Sequence, residues 1–154
     1  MIIYPGLRQR EGNASMFLIG FPLLLIPFVL YNIFAFIFGV TDWNASFASV
    51  HIISGGDWKI AWGDLLIALA ILLLFVEILK STRIGTRGIV DHMLSMLLFI
   101  GMIVEFLLVE RAATSTFFLL IITSFVDVLG GFTVSVRTAQ RDIGFDSGDR
   151  ILPP

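Results

Sequence analysis

Four long apolar stretches constrain this sequence more than any other feature. A bilayer core is about 30 Å thick, so a helix that crosses it needs roughly 20 mostly apolar residues. Because a bilayer offers backbone groups no water, stretches that cross it as single segments must be helical. Runs such as Leu65–Val76 and Met93–Val104 lack the alternation of a barrel strand. The sequence predicts an all-α membrane protein, a four-transmembrane-helix bundle with spans at about residues 16–40, 60–79, 89–109 and 116–136.

The composition points to the same class of protein. Only 14% of the 154 residues are charged and 57% are hydrophobic, whereas a soluble domain carries about 25% charged residues. We therefore treat residues 1–154 as a single membrane domain with the lipid bilayer as its solvent. The absence of Cys excludes disulfides and thiolate metal sites, and the net charge of −2 gives no sign of nucleic-acid binding.

The first stretch contains Pro22 and Pro27, each of which removes a backbone donor and predicts a kink. A signal peptide is the alternative, since Arg8 and Arg10 precede the apolar run. The apolar core of a signal peptide is only about 7–15 residues long. The longer run here favours a membrane anchor.

The positive charges predict an orientation in the membrane, because cytoplasmic segments are enriched in Lys and Arg. Of the ten basic residues, only Lys59 and Arg111 fall in the first and third loops. The other eight fall in the two tails and the middle loop: Arg8, Arg10, Lys80, Arg83, Arg87, Arg137, Arg141 and Arg150. Both termini are therefore predicted to be cytoplasmic, which agrees with four spans.

The connecting segments carry weaker signals. The outer loop 41–59 contains Trp43 and Trp58, and Trp is typical of the membrane–water interface. We expect this loop to lie along the surface with a short helix at Phe47–Ile53, ended by two glycines. The C-terminal segment 137–154 mixes both charge signs with Gly and Pro, which predicts a solvated cytoplasmic tail.

Ionisable residues inside the spans are the candidate functional groups. Such groups are costly in lipid and normally face protein or water. A helix rises about 1.5 Å per residue, and consecutive spans run in opposite directions, so the position of each group within its span gives its depth in the membrane. Glu77, Asp91 and His92 are predicted near the inner face, Asp64 and Glu105 form an outer layer, and Asp127 lies about midway.

Helical spacing predicts which neighbours these carboxylates have. Asp127 shares a stripe with Ser124 and Gly131, and small residues let another helix approach closely. The carboxylates are therefore expected on packing faces. The candidate polar seam between spans two, three and four consists of Glu77, Asp91, His92 and Asp127.

The seam has two interpretations. It can carry protons or bind a cation, or it can be structural, fixing which helix faces pack together. In the structural interpretation Asp91 benefits from a helix N-terminus, and Glu77 pairs with Lys80 or Arg87. Glu105 then makes a polar contact with Ser115 or Thr116, and Asp127 has His92 as its nearest candidate partner.

Recognisable catalytic motifs are absent from the sequence. There is no Gly-x-Ser-x-Gly, no Walker-type loop and no His-Glu-x-x-His. His51, the second histidine, lies in the outer loop, which argues against a haem held by two histidines. We assign no catalytic residues, no metal ligands and no cofactor. Thr114-Ser115-Thr116 opens the fourth span, where N-capping hydroxyls belong.

Two stretches carry a resemblance. The first runs from Trp62-Gly63-Asp64 through Glu77 to Lys80-Ser81-Thr82-Arg83, and the second from Val90-Asp91-His92 through Glu105 and Thr114-Ser115-Thr116 to Asp127-Val128. Over about residues 60–142 the chain resembles a group of small, uncharacterised four-helix bacterial inner-membrane proteins. The resemblance implies a bacterial inner-membrane location and implies no activity or site.

Three functions are compatible with these features. The first is a small, non-enzymatic accessory or structural subunit of a membrane complex, because motifs are absent and four helices bury little surface. Self-association or a larger complex is then expected. The second is a proton- or cation-conducting transporter or channel that uses the intramembrane carboxylates. The third is a membrane enzyme acting on a lipid or a quinone.

Overall fold

The structure is a computed structural model that describes residues 21–81 and 87–146, with side chains for residues 21–80 and 90–133. Residues 16–20 of the first predicted span lie outside the described residues, as do Arg8, Arg10, Arg83 and Arg150. The helices are α1 (Leu25–Asn32), α2 (Trp62–Ser81), α3 (Arg87–Leu108) and α4 (Ser115–Asp146). The strands β1 (Ser46–His51) and β2 (Asp57–Ala61) and two short helical turns, Ile33–Ile37 and Glu110–Ala112, complete the described elements.

Within the described residues, three helices are long and apolar enough to cross a membrane. Their apolar windows are Trp62–Lys80, Val90–Leu108 and Ser115–Thr133. The first apolar segment forms a shorter helical stretch, Leu25–Ile37, within the described residues. The predicted helical character of all four stretches is thus confirmed, with membrane-spanning length for three of them.

The prolines of the first segment mark where its helix begins. Pro22 precedes α1, and Pro27 lies in its first turn, where an N–H has no helical partner to lose. Pro27 does not interrupt the helix, so the predicted kink is wrong there. Residues 21–24 around Pro22 are not helical and the residues before them lie outside the described part of the chain, so the kink at Pro22 stays a prediction. A departure from α geometry also occurs at residues 33–37, which form a π-helical turn that leads into Gly39 with φ of 68°.

The outer loop forms a β-hairpin, so the predicted helix at residues 47–53 and the purely α fold class are both wrong. Strands β1 and β2 pair antiparallel, with a bulge between Ser46 and Ala48. The Ile52 N–H donates to the Gly56 carbonyl at 2.8 Å across the turn. Gly55 has φ of 86°, a conformation that suits glycine and closes the turn.

Helix α4 continues past the end of the predicted fourth span. It runs to Asp146, so residues 137–146 of the predicted solvated tail are helical. Residues 147–154 lie outside the described part of the chain.

Helix α4 packs against both α2 and α3 and is central to the described bundle. Two glycines permit the close approach. A Cβ on Gly63 would lie 2.5 Å from Thr116 Oγ1, and one on Gly131 would lie 2.7 Å from His92 Nδ1. The core continues to α1 through Tyr31, which is fully buried and stacks on Trp43 with ring centroids 4.4 Å apart.

The outward faces of the three long helices are apolar. Examples are Leu72 on α2, Leu97 on α3 and Phe132 on α4, each at least 60% exposed. Soluble monomers rarely expose contiguous apolar patches of more than a few hundred Å². These faces are suited to lipid or to another apolar partner.

Candidate functional site

The long helices bury polar residues at helical spacing on the faces that meet. Buried positions on these faces include Ala70 and Glu77 in α2, Ser95 and Met102 in α3, and Ser124 and Asp127 in α4. Glu77 is 5% exposed and Asp127 6% exposed. Both carboxylates therefore point toward neighbouring helices, as the helical spacing predicted.

Lys80 joins three segments at one end of the bundle. Its ammonium lies 3.0 Å from Glu77 Oε1 and 3.7 Å from Asp91 Oδ2. It also donates to the Phe21 carbonyl at 2.9 Å. The predicted pairing of Glu77 with Lys80 is confirmed, and the same ammonium extends the contact to α3 and to the chain before α1.

The second Glu77 oxygen holds the start of α1. Oε2 accepts a hydrogen bond from the Leu23 N–H at 2.8 Å. A carboxylate at this position also faces the partial positive charge of the helix start. Sequence reasoning missed the Phe21 and Leu23 contacts because they use backbone groups. The available signal was Pro22, which has no N–H and disfavours helical geometry in the residue before it.

Asp127 is the least compensated charge of the site. Ser95 forms a side-chain hydrogen bond with it, and Glu77, Lys80 and His92 are close enough to act on it electrostatically. Its Oδ2 has no hydrogen-bond partner among the described residues. Ser95, rather than the predicted His92, is therefore its direct partner.

His92 packs beside Asp127 and makes no direct bond to it within the described residues. Its ring lies against the bare Cα of Gly131, one turn beyond Asp127 on α4. The Phe132 ring follows, with centroids 6.5 Å apart. We call Glu77, Lys80, Asp91, His92 and Asp127, together with Ser95 and Ser124, the inner polar cluster.

Among the described side chains, the inner polar cluster contains three carboxyl groups and one ammonium. Lys80 compensates Glu77 and Asp91 directly, and the Asp91 Oδ1 oxygen remains without a hydrogen-bond partner among the described residues. Charges taken out of water cost several kcal/mol each unless they are paired and hydrogen-bonded. A proton or another positive charge is therefore the group that this cluster can accept.

The predicted outer layer is two separate contacts. Asp64 is exposed, and its Oδ2 accepts the Ala61 N–H at 3.0 Å, so it caps its own helix. Glu105 is half-buried, and the Asn32 amide donates to its Oε2 at 3.4 Å. The partner of Glu105 is thus Asn32 of α1, not Ser115 or Thr116.

A second polar contact joins α1 to the start of α4. The Tyr31 hydroxyl lies 2.8 Å from the Arg111 carbonyl and 2.7 Å from Thr114 Oγ1. Thr114 Oγ1 also accepts the Phe117 N–H at 3.2 Å, which confirms the predicted N-cap. Arg111 donates to the Ala35 carbonyl at 2.7 Å and thereby gives a carbonyl group of the π-helical turn a hydrogen-bond partner.

Two cavities open near the outer end. One, of about 350 Å³, is lined by apolar side chains that include Phe34, Trp43 and Trp62. The other is a groove of about 460 Å³ between α1 and Glu105, with Asn32 on its wall. No group of three or more His, Cys, Asp or Glu side chains is placed to hold a metal ion in the described part of the chain.

Comparison with known proteins adds no assignment. No protein-family model matches the chain, and neither a curated protein nor a solved structure gives a match. Function is therefore inferred from the inner polar cluster and the surfaces of the bundle.

Proposed function

We propose that the chain is a small, non-enzymatic structural subunit of a bacterial inner-membrane complex. The observation that carries this proposal is the use of charge at the inner end. Glu77 and Lys80 bond to the chain before α1 and to α3, so these charges join segments. Both described cavities are lined almost entirely by apolar side chains, which offers little to a polar substrate.

The same proposal places four spans in the membrane with both termini in the cytoplasm. The basic residues of the tails and the middle loop support this orientation. The exposed Trp58 and Trp62 at the hairpin support an interface at the opposite end. The first span then includes Leu25–Ile37 and residues that precede it.

An open helix face supports a partner. Only 11% of the residues in the apolar segment Val90–Leu108 of α3 are buried within the chain. The groove beside this helix has Glu105 at its edge, with Oε1 lacking a hydrogen-bond partner among the described residues. Polar side chains stabilise the association of membrane helices. We propose that a helix carrying a hydrogen-bond donor, from a second copy or another subunit, occupies this groove.

Extraction in a mild detergent followed by native mass spectrometry tests the proposal. We expect a defined complex larger than one chain. E105Q weakens the acceptor in the groove and is expected to release monomer. L107A, on the same helix at a 72% exposed position, is the matched control and should leave the complex intact. A monodisperse monomer of the parent chain contradicts the proposal.

A second candidate function, conduction of protons or cations, is favoured by Asp127. It is a buried carboxyl in a spanning helix with an oxygen that has no partner among the described residues. Measurement of proton or cation flux into proteoliposomes tests this candidate. D127N should abolish the flux, whereas D64N, at an exposed helix cap, should not. Equal flux in the parent and D127N, or none in the parent, removes this candidate.

A further inference from the structure

The hairpin of β1 and β2 segregates its side chains by polarity. Successive residues of a strand point to opposite faces of a sheet, and residues that pair directly across an antiparallel ladder share a face. The observed register therefore assigns each paired residue beyond the bulge to one of two faces. The apolar face consists of the pairs Ala48–Ile60 and Val50–Trp58, and the polar face of the pairs Ser49–Lys59 and His51–Asp57.

The described residues leave the part of the apolar face nearest the turn uncovered. Val50 is 47% exposed and Trp58 54% exposed, and Ile53 in the turn is fully exposed. An isolated two-stranded hairpin is marginally stable in water unless its apolar face packs against something. The open face therefore indicates a covering surface outside the described part of the chain.

The base of the hairpin is joined directly to a helix of membrane-spanning length. Strand β2 ends at Ala61 and α2 begins at Trp62, which is also the first residue of the apolar window of that helix. Phe47 of β1 packs on Trp62 with ring centroids 4.8 Å apart, so both strands are fixed to the start of α2. If α2 crosses the bilayer, the base of the hairpin lies at the membrane surface.

Distance determines how the hairpin must lie for lipid to cover its apolar face. A strand rises about 3.3 Å per residue, so Trp58 can lie up to roughly 13 Å from Trp62 along the strand. The headgroup layer on each side of a bilayer is only about 5–8 Å thick. An upright hairpin would hold Trp58 beyond the headgroups, whereas a hairpin that lies along the surface keeps it among them.

Features of both strands favour lipid over another β-strand as the neighbour of the hairpin. Natural sheets block edge pairing with bulges and with Lys, and β1 carries the bulge while β2 carries Lys59. Trp58 is the residue type enriched at the membrane–water interface. The polar face is suited to water, since its exposed His51 Nδ1 lies 2.7 Å from Asp57 Oδ1.

We propose that the hairpin is a lipid-binding surface that lies along the membrane. Val50 and Trp58 are buried among the headgroups and the adjacent acyl carbons of one leaflet, whereas Ser49 and Lys59 face the water. The partner is a phospholipid surface, bound through apolar area and the interfacial indole. This inference rests on the proposed membrane location of the chain, and it is independent of the oligomeric state and of any flux.

Site-directed spin labelling tests the proposal, because the chain has no native Cys. Single-cysteine variants of the full chain are labelled with a nitroxide and reconstituted into vesicles of phosphatidylethanolamine and phosphatidylglycerol. Collisions of the label with oxygen, which concentrates in lipid, are compared with collisions with a water-soluble nickel chelate. Two adjacent pairs compare the faces, V50C with S49C on β1 and W58C with K59C on β2. The oxygen-to-nickel ratio should be several-fold higher at V50C and W58C than at their neighbours.

L72C, on the exposed apolar face of α2, separates failure of this inference from failure of the membrane location. A high ratio at L72C, with equally low ratios at V50C and S49C, would place both faces of the hairpin in water and overturn the inference. Low accessibility of V50C to both reagents would show that protein covers this face, and would also overturn it. A low ratio at L72C itself would overturn the membrane location, and this inference with it.

Discussion

At the scale of single residues, Lys80 determines how many charges the bundle can hold at its inner end. Its side chain is 16% exposed and compensates Glu77 and Asp91. Removal of one partner from a buried pair costs about 3–5 kcal/mol, because the other charge is left uncompensated. We expect K80M to lower the free energy of unfolding in detergent micelles by that amount.

Two further variants isolate the charge effect of Lys80. The double variant E77Q/K80M should be more stable than K80M alone, since it removes the stranded carboxylate as well. Lys59 is exposed on β2, and K59M should therefore change the free energy of unfolding little. Equal stability of K80M and the parent would contradict this role.

Adjacent glycines on α4 provide a sharper test of packing. A Cβ at Gly131 would lie 2.7 Å from His92 Nδ1, whereas one at Gly130 would meet Ile78 at an ordinary 3.8 Å. Overpacking costs about 1–3 kcal/mol, and replacement of Gly by Ala in a helix gains roughly 0.5–1 kcal/mol. G131A should therefore have a lower free energy of unfolding than G130A, which should match or exceed the parent. The reverse order would show that His92 does not pack there.

The burial of Glu77 and Asp127 was predictable from sequence because lipid penalises charge and helical spacing fixes the face. The identity of their partners was only partly predictable. Lys80 is three residues from Glu77, so their contact follows from the helix itself. Ser95 reaches Asp127 from another helix, and its selection depends on how α3 and α4 cross, which spacing within one helix does not specify.

At the scale of elements, α1 is held at both ends by contacts from other segments. Glu77 bonds to the chain before it, and Tyr31 bonds to the loop and cap that precede α4. A typical hydrogen bond contributes about 0.5–1.5 kcal/mol net. Y31F keeps the ring packing and should lower the free energy of unfolding by about that amount.

Thr114 permits a test of whether this effect is specific. The Tyr31 hydroxyl and Thr114 Oγ1 lie 2.7 Å apart, so Y31F and T114V should be non-additive in a double-mutant cycle. T123V, at a buried hydroxyl that bonds within its own helix, should combine additively with Y31F. Additivity of Y31F with T114V would show that the two hydroxyls do not interact.

The hairpin shows where element prediction from sequence fails. The stretch from Phe47 to Ile53 is too short for helix nucleation to be favourable on its own. The turn at Gly55 and the packing of Phe47 on Trp62, with ring centroids 4.8 Å apart, favour strands instead. The turn residues were visible in the sequence, but the contact with Trp62 requires that α2 begin directly after β2.

At the scale of the whole molecule, α4 is the central helix because it alone is buried on both flanks, against α2 and against α3. This arrangement leaves most of α3 open, with 11% of its apolar window buried. Apolar periodicity does not predict this asymmetry, since a lipid-facing position and a partner-facing position have the same hydropathy. Three of the four predicted spans have membrane-spanning length, whereas the neighbours of each helix were not predictable.

The proposed orientation gives a prediction for the whole molecule that uses the absence of Cys from the sequence. A single cysteine introduced at any position is then the only thiol that a maleimide can label. Ser54 lies exposed in the turn between β1 and β2, at the end that carries the tryptophans. Gly85 lies between α2 and α3 in the sequence and outside the described residues.

With both termini cytoplasmic, S54C should react with a membrane-impermeant maleimide in spheroplasts, and G85C should react only after the membrane is permeabilised. Labelling after denaturation provides the control for expression and thiol reactivity. The opposite pattern would invert the bundle and place Lys80 at the outer face. Labelling of both positions in intact spheroplasts would mean that α2 does not cross the bilayer. In that case its exposed apolar face, which includes Leu72, would have to be covered by a protein partner.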